Sequence, residues 1–283
     1  MKEVYMKWKI VADSSCDLMR DDVRGEELVF STVPFIISVG GKEYEDNEAL
    51  DTLTMVTDME RCEAPGSTAC PSPMTWMEEF REGENVVALT ISANLSGSYN
   101  SACLGRDMLL ESSPEKQVAV LNSNSTGPAL AMCISWISQW IKEGHGFEAV
   151  TNKAAELLDE TKTIFALSSF DNLVKNGRVK KIAGFVAKNL GLWGVGVGRE
   201  GRIAMKAKAR GASRAVGVII EDMLERGFSA KEVVISHCHN AAVAEKLCEQ
   251  IKKRWSDAKI TVLKTRGLDS FYAERGGLIV AFR

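Results

Sequence analysis

Three times in the first half of the chain, a short apolar run ends in small hydroxyl or amide residues and then gives way to helical spacing. Trp8 to Ala12 leads into Asp13-Ser14-Ser15-Cys16-Asp17, and Val86 to Ile91 into Ser92-Ala93-Asn94-Leu95-Ser96-Gly97-Ser98. Val118 to Leu121 leads into Asn122-Ser123-Asn124-Ser125-Thr126-Gly127. An apolar strand followed by a helix-capping residue and a 3.6-residue period marks a βα unit, so the pattern predicts an α/β fold. Between the first two units, Val33 to Val39, the Gly40-Gly41 turn and Lys42 to Glu45 read as a β-hairpin. A helix follows, then a loop from Ala64 to Ala69 and a helix opened by Pro71-Ser72-Pro73. Helices from Ala129 to Lys142 and from Phe147 to Leu158 close this half.

Past Thr161 the pieces become more mixed. Thr163 to Leu167 reads as a strand, and Gly191 to Lys206 as two strands around Arg199-Glu200-Gly201. A helix from Ser213 to Arg226 precedes strands at Glu232 to Ser236, Lys259 to Lys264 and Leu278 to Phe282. A domain boundary is therefore expected near residue 161, giving an N-terminal α/β domain of residues 1–161 and a C-terminal α/β domain of residues 162–283. No repeat of 20 to 50 residues is visible, which excludes solenoids.

The length of 283 residues suits about two domains, and 45% hydrophobic with 26% charged residues is ordinary for a folded globular chain. Thirty-five basic against 38 acidic residues leave no excess of positive charge for a dedicated nucleic-acid binder. The apolar stretch Ala129 to Ile141 is shorter than the roughly 20 residues a bilayer requires, so no membrane span is expected. The first nine residues are too charged for a secretory signal peptide, and a cytoplasmic protein is expected. Seven cysteines form no CxxC pair, which suits reduced thiols acting as small hydrophobes.

If the three strands are parallel, their hydroxyl-rich turns gather on one edge of a sheet, where open α/β folds bind ligands. Helix N–H groups and hydroxyls there favour a carboxylate or phosphate, although each turn taken singly is accounted for as a helix cap. No histidine lies near the turns in sequence to activate a serine, and neither a GxSxG elbow nor a Walker A loop occurs, so binding without chemistry is the simpler reading. Gly196-Val197-Gly198-Arg199-Glu200-Gly201 matches a dinucleotide-binding spacing, but a strand rather than a helix follows it. His237-Cys238-His239 lacks further ligands at metal spacing. Positive charge is concentrated in Lys175 to Lys181 with Lys188, and in Lys206 to Arg214. Such runs are either solvated surface or a docking face for an anionic partner.

Several of these residues together resemble the DegV family of bacterial fatty-acid-binding proteins, over nearly the whole chain. The carriers are Val11 to Leu18, Thr68-Ala69-Cys70-Pro71-Ser72-Pro73, Leu95 to Ala102, Lys175-Asn176-Gly177-Arg178 and the closing Gly276 to Phe282. The resemblance implies a two-domain DegV-like fold. It places a three-layer α/β/α domain with a mainly parallel sheet first and an α/β domain with a mixed sheet second, enclosing one long-chain fatty acid as ligand, with no cofactor or metal. It further implies that the carboxylate is held by Thr68, Ser96, Gly97 and Tyr272, the last standing where many relatives carry a histidine. Asp13, Ser14, Ser15, Ser98, Asn122 and Ser123 fall in the supporting turns. Relatives that serve a fatty acid kinase present the acyl group to a separate ATP-binding subunit, and Arg178 and Arg210 are the residues expected to dock it. Two alternatives stay open: a subunit related to dihydroxyacetone kinase that holds a small ketone through a histidine, and a lipid-independent anion-binding regulator.

Overall fold

The computed structural model describes residues 8–25, 27–179 and 191–283. Lys180, Lys181 and Lys188 of the first basic run lie outside the described residues, as do the first seven residues. In chain order the first part contains β1 (Trp8–Asp13), β2 (Leu28–Val33), β3 (Ile36–Val39), β4 (Lys42–Glu45), α1 (Thr52–Arg61), β5 (Ser67–Ala69) and α2 (Pro73–Phe80). It continues with β6 (Asn85–Thr90), α3 (Ser98–Ser112), β7 (Gln117–Asn122), α4 (Pro128–Lys142) and α5 (Phe147–Glu160). The second part contains β8 (Lys162–Leu167), α6 (Asp171–Lys175), β9 (Leu192–Arg199), β10 (Arg202–Arg210) and α7 (Ala212–Glu225). β11 (Glu232–His237), α8 (Ala241–Arg254), β12 (Lys259–Lys264), α9 (Gly267–Ala273) and β13 (Leu278–Phe282) complete it.

The first sheet is parallel, in the order β2-β1-β6-β7. Its central strands β1 and β6 are buried on both faces, which is why they read as continuous apolar runs. Val11, Val86 and Ala88 pack with Trp76 and Phe80 of α2 and Ala102 of α3, while Ile10, Val87 and Leu89 pack with α4 and α5. This is a three-layer α/β/α arrangement. The second sheet is mixed, in the order β10-β9-β8-β13-β11-β12, with β11 and β12 parallel and the other neighbours antiparallel. One of its faces carries α7 and α8.

The other face of the mixed sheet turns toward the first part. α4 is buried nearly all round because it packs on the parallel sheet and also on Val234 and Ala281 of the mixed sheet. A third, antiparallel sheet, β4-β3-β5, covers the β8 end of the same face, where Ile37 and Val39 meet Phe165, Leu167 and Ile279. The sheets thus share core residues across their facing sides.

Two expectations need correction. The turn after β1 enters a 3-10 turn, Ser14–Cys16, not an α-helix: Asp17 takes a left-handed φ of 57° and the chain returns after a second short turn to pair β2 beside β1. The stretch from Ala64 to Ala69 is a loop only at its start, since β5 adds to the hairpin and pairs Thr68 with Ile37. Within the basic stretch from Lys206 to Arg214, Lys206 pairs with Asp222 and Glu225, and Arg214 with Glu221. Among the described residues no helix is long and apolar enough to cross a membrane.

Candidate functional site

Parallel pairing of β1, β6 and β7 brings the three hydroxyl-rich turns to one edge, and there they are fastened to each other. Asp13 is the knot. Ser15 Oγ donates to its Oδ1 at 2.5 Å, and Ser98 Oγ and the Ile91 amide donate to its Oδ2 at 2.7 and 2.9 Å. Burial pushes the Asp13 carboxyl up to about 6 against the opposing pull of these donors. Ser14 Oγ accepts from the Phe35 amide at 3.1 Å, and the Ser15 carbonyl accepts from Gly127 at 2.7 Å. Asn122 Oδ1 accepts from Ala93 and Asn124, and Ser123 Oγ bonds within its own turn to Ser125. Asp13, Ser14, Ser15, Ser98, Asn122 and Ser123 thus hold the turns in shape; none of them lines the cavity described next.

The β9–β10 turn closes over this edge. Ser92 Oγ donates to the Gly201 carbonyl at 2.6 Å and Asn94 Nδ2 to the Glu200 carbonyl at 2.9 Å. Gly201 takes φ +70°, and a Cβ there would meet Ser92 Oγ at 2.5 Å, so the close approach requires glycine. The glycines of the apparent dinucleotide motif therefore serve a strand and its turn.

Between the turns and the mixed sheet lies a cavity with about 810 Å³ of empty space, its open mouth included. Its walls are mainly apolar: Phe35, Ile91, Leu95, Leu268, Phe165, Leu167, Leu173, Ile203 and Ile279. Thr68, Ser96, Arg178 and Tyr272 also face it. Thr68 arrives on β5 and Tyr272 on α9, 204 residues later, and their hydroxyls lie 2.9 Å apart. Ser96 Oγ accepts from the Ser98 amide at 3.2 Å, and the exposed Gly97 beside it caps α3.

Arg178 is the main surprise among the site residues. A position beside glycine in a loop suggests an exposed guanidinium, but the side chain is half-buried, lines the cavity and donates from Nε to the Leu95 carbonyl at 2.7 Å and from a terminal nitrogen to Asn176. The tight Asn176-Gly177 turn, with Gly177 at φ +72°, sends it inward. Arg210, at the end of β10, is exposed and does not line the cavity.

A second polar cluster escapes the sequence reading altogether. Asp17, Asp46 and Asp269 are buried together with Arg266. Asp46 accepts from the Gly267 and Leu268 amides at 2.8 Å each, and Asp17 from the Arg266 amide at 2.7 Å, which fixes the start of α9 and so the place of Tyr272. Arg266 Nε stands 3.8 Å from Asp46 Oδ1. The Oδ2 atoms of Asp17 and Asp269 converge on Gly127, whose lack of a side chain leaves room for both. Neither has a hydrogen-bond partner of another kind among the described residues, so a proton held between them satisfies the pair. Burial raises Asp17 to about 7 and, with the Asp17 charge added, lifts Asp269 well above the ordinary carboxyl range. The three aspartates are far apart in sequence, so no local spacing signals them.

Among the described residues no cluster of His, Cys, Asp and Glu is arranged to hold a metal ion. His237 accepts from the Asn240 amide and His239 faces Thr52, both outside the cavity lining.

Comparison with known proteins places these features in context. The sequence model of the family described as "Uncharacterised protein, DegV family" matches residues 7–281. A DegV domain-containing protein of Streptococcus pyogenes serotype M1 is 37% identical over 278 residues, covering 98% of this chain and 99% of that one. Among solved structures, the fatty acid kinase B3 protein of Streptococcus pneumoniae, loaded with linoleic acid, is 33% identical with a TM-score of 0.95, covering 98% of this chain and 99% of that one. A DegV family protein of Eubacterium eligens loaded with heptadecanoic acid is 32% identical with a TM-score of 0.92 over the same shares.

Proposed function

The chain belongs to the DegV family, and from that membership and the cavity we propose that it holds one long-chain fatty acid between its two domains and presents the carboxylate to a separate ATP-binding kinase. One observation carries the reading: a mainly apolar cavity whose Thr68–Tyr272 hydroxyl pair, Ser96 and the Arg178 guanidinium supply the polar groups a carboxylate needs. A carboxylate out of water is costly unless donors meet it, and hydroxyls with a cation beside them do so. Tyr272 supplies by its phenol the donor that a histidine would otherwise give. Arg178 then acts as a neutralising partner of the head group, and the exposed Arg210 keeps the role of a docking residue.

The ketone-holding alternative calls for a histidine in a small polar pocket. The lining here is mainly apolar, and His237 and His239 face Asn240 and Thr52. A lipid-independent anion regulator is disfavoured by the pairing of Lys206 and Arg214 with acidic neighbours on α7.

Burying 14 to 18 carbons at about 0.8 kcal/mol per methylene gives a gross gain on the order of 10 kcal/mol, enough to survive purification after ordering costs. Native mass spectrometry of freshly purified protein is expected to find one fatty acid per chain. Absence of lipid, together with no binding of added oleate, overturns the reading. Incubation of the loaded protein with ATP and its cell's kinase subunit is expected to give acyl phosphate; if lipid binds but none forms, storage or transport replaces presentation.

A further inference from the structure

The cavity is floored by the face of the mixed sheet opposite α7, and two rows of residues run across that floor. One row is Ile279, Phe165, Gly196 and Met205; the next holds Ala281, Thr163, Gly198 and Ile203. The neighbours Val195 and Val197 of β9 point the other way, into the core beneath α7. The glycines therefore stand where side chains would otherwise rise into the ligand space.

The two glycines differ in what covers them. Above Gly198 a Cβ would meet nothing nearer than Thr163 Cβ, at 3.5 Å, and Gly198 lines the cavity directly. Above Gly196 the Cζ and Cε2 atoms of Phe165 occupy the volume that a Cβ would need. Phe165 also lines the cavity, and Phe170, 6.1 Å away between ring centroids, stands at its side. The floor is thus a trough, bare over Gly198 and blocked over Gly196 by an aromatic ring that can sit so low only because residue 196 has no side chain.

We propose that Phe165, seated on Gly196, is the chain-length determinant of the acyl cavity: the ring narrows the trough between Gly198 and Leu167, and Gly196 sets how deep the ring lies. The inference rests on the fatty-acid reading above. It assigns a role in selectivity to the glycines that spell part of a nucleotide motif in the sequence. A ring packed on a cross-strand glycine also shields the sheet backbone, a structural service that is the same for every ligand. A length gauge differs because it changes the order in which ligands are preferred.

The test measures Kd for saturated fatty acids of 12 to 20 carbons by displacement of a fluorescent fatty acid from delipidated protein. Wild type, Phe165→Leu, Gly196→Ala and the double variant are compared, each with a melting curve. Phe165→Leu is expected to move the preferred chain longer, with about fourfold in affinity for each newly buried methylene. Gly196→Ala is expected to move it shorter, because the methyl lifts the ring into the trough. The double variant returns toward wild type, since the smaller side chain at 165 leaves room for the methyl at 196. If Gly196→Ala does not fold, Phe165→Leu decides alone. An unchanged order of chain lengths, whether or not all affinities fall together, overturns the proposal and leaves the fatty-acid reading intact. A wild type that binds none of the series overturns both.

Discussion

Two polar regions lie side by side at the carboxyl edge of the parallel sheet, and they use the same residue types to opposite ends. In the Asp13 knot, Ser15, Ser98 and the Ile91 amide all donate to one buried carboxylate. At the cavity, Thr68 and Tyr272 touch each other and Ser96 only accepts from a backbone amide, so hydroxyl protons remain to face a ligand. Ser96 and Ser98 are two residues apart in one turn, yet one lines the cavity and the other is buried against Asp13. A hydroxyl-rich βα turn is therefore not in itself a ligand site; what counts is whether its donors already have partners.

Breaking the knot should have the largest effect, and on stability. Asp13→Ala leaves three buried donors without an acceptor and is expected to cost roughly 4 kcal/mol in urea unfolding of delipidated protein. Ser98→Ala, which removes one donor, should cost about 1–2 kcal/mol with little change in lipid affinity. If Asp13→Ala unfolds at the wild-type midpoint, the knot is not what fastens the turns.

The cavity hydroxyls should show the reverse pattern. Thr68→Ala and Ser96→Ala are each expected to weaken fatty-acid binding about ten- to a hundred-fold, the worth of roughly 1.5 to 3 kcal/mol for a bond to a charged group, with melting curves near wild type. Tyr272→Phe and Arg178→Ala should fall in the same direction. Titration calorimetry in which Ser98→Ala weakens binding as much as Ser96→Ala would erase the distinction between the regions.

Protonation sharpens it further. Because Asp13 and Asp17 are raised from 3.8 to about 6 and about 7, the folded state holds more protons than the unfolded chain between those values. Their contribution to stability is full below pH 3.8 and is lost as pH rises through 6 and 7. Asp17→Asn, which cannot ionise, should gain on wild type as pH rises from 5 to 8, the difference in unfolding free energy swinging by about 1 kcal/mol or more. A difference that stays flat across that range means that Asp17 carries its ordinary charge.

The smallest effect is expected at the surface. Arg210→Ala should leave lipid affinity unchanged and lower acyl phosphate formation with the kinase by a few-fold at low salt, fading as salt screens the charge. Equal rates for wild type and variant across a salt series would remove Arg210 from docking.

The α/β elements are legible in the amino-acid pattern, because strands buried on both faces and helices with one apolar stripe leave signatures that need no partner to be read. β8, the β9–β10 pair, α4 and α7 lie within a few residues of where periodicity puts them. The resemblance carried Thr68, Ser96, Gly97 and Tyr272 as site residues; the structure brings Thr68, Ser96 and Tyr272 to one cavity, whereas Gly97 does not line it. Which polar groups are already occupied, and which way a loop side chain turns, depends on the packing of distant elements. Arg178 points inward because a left-handed glycine turns the chain before it, and no pattern of hydrophobicity records that direction. Asp17, Asp46 and Asp269 meet only when α9 packs on the first turn of the chain, some 220 to 250 residues away in sequence. Gly196 looks like part of a phosphate loop until antiparallel pairing sets Phe165 opposite it. Periodicity is a local property of a strand or helix, whereas donor occupancy and cavity shape arise from contacts between elements distant in the chain.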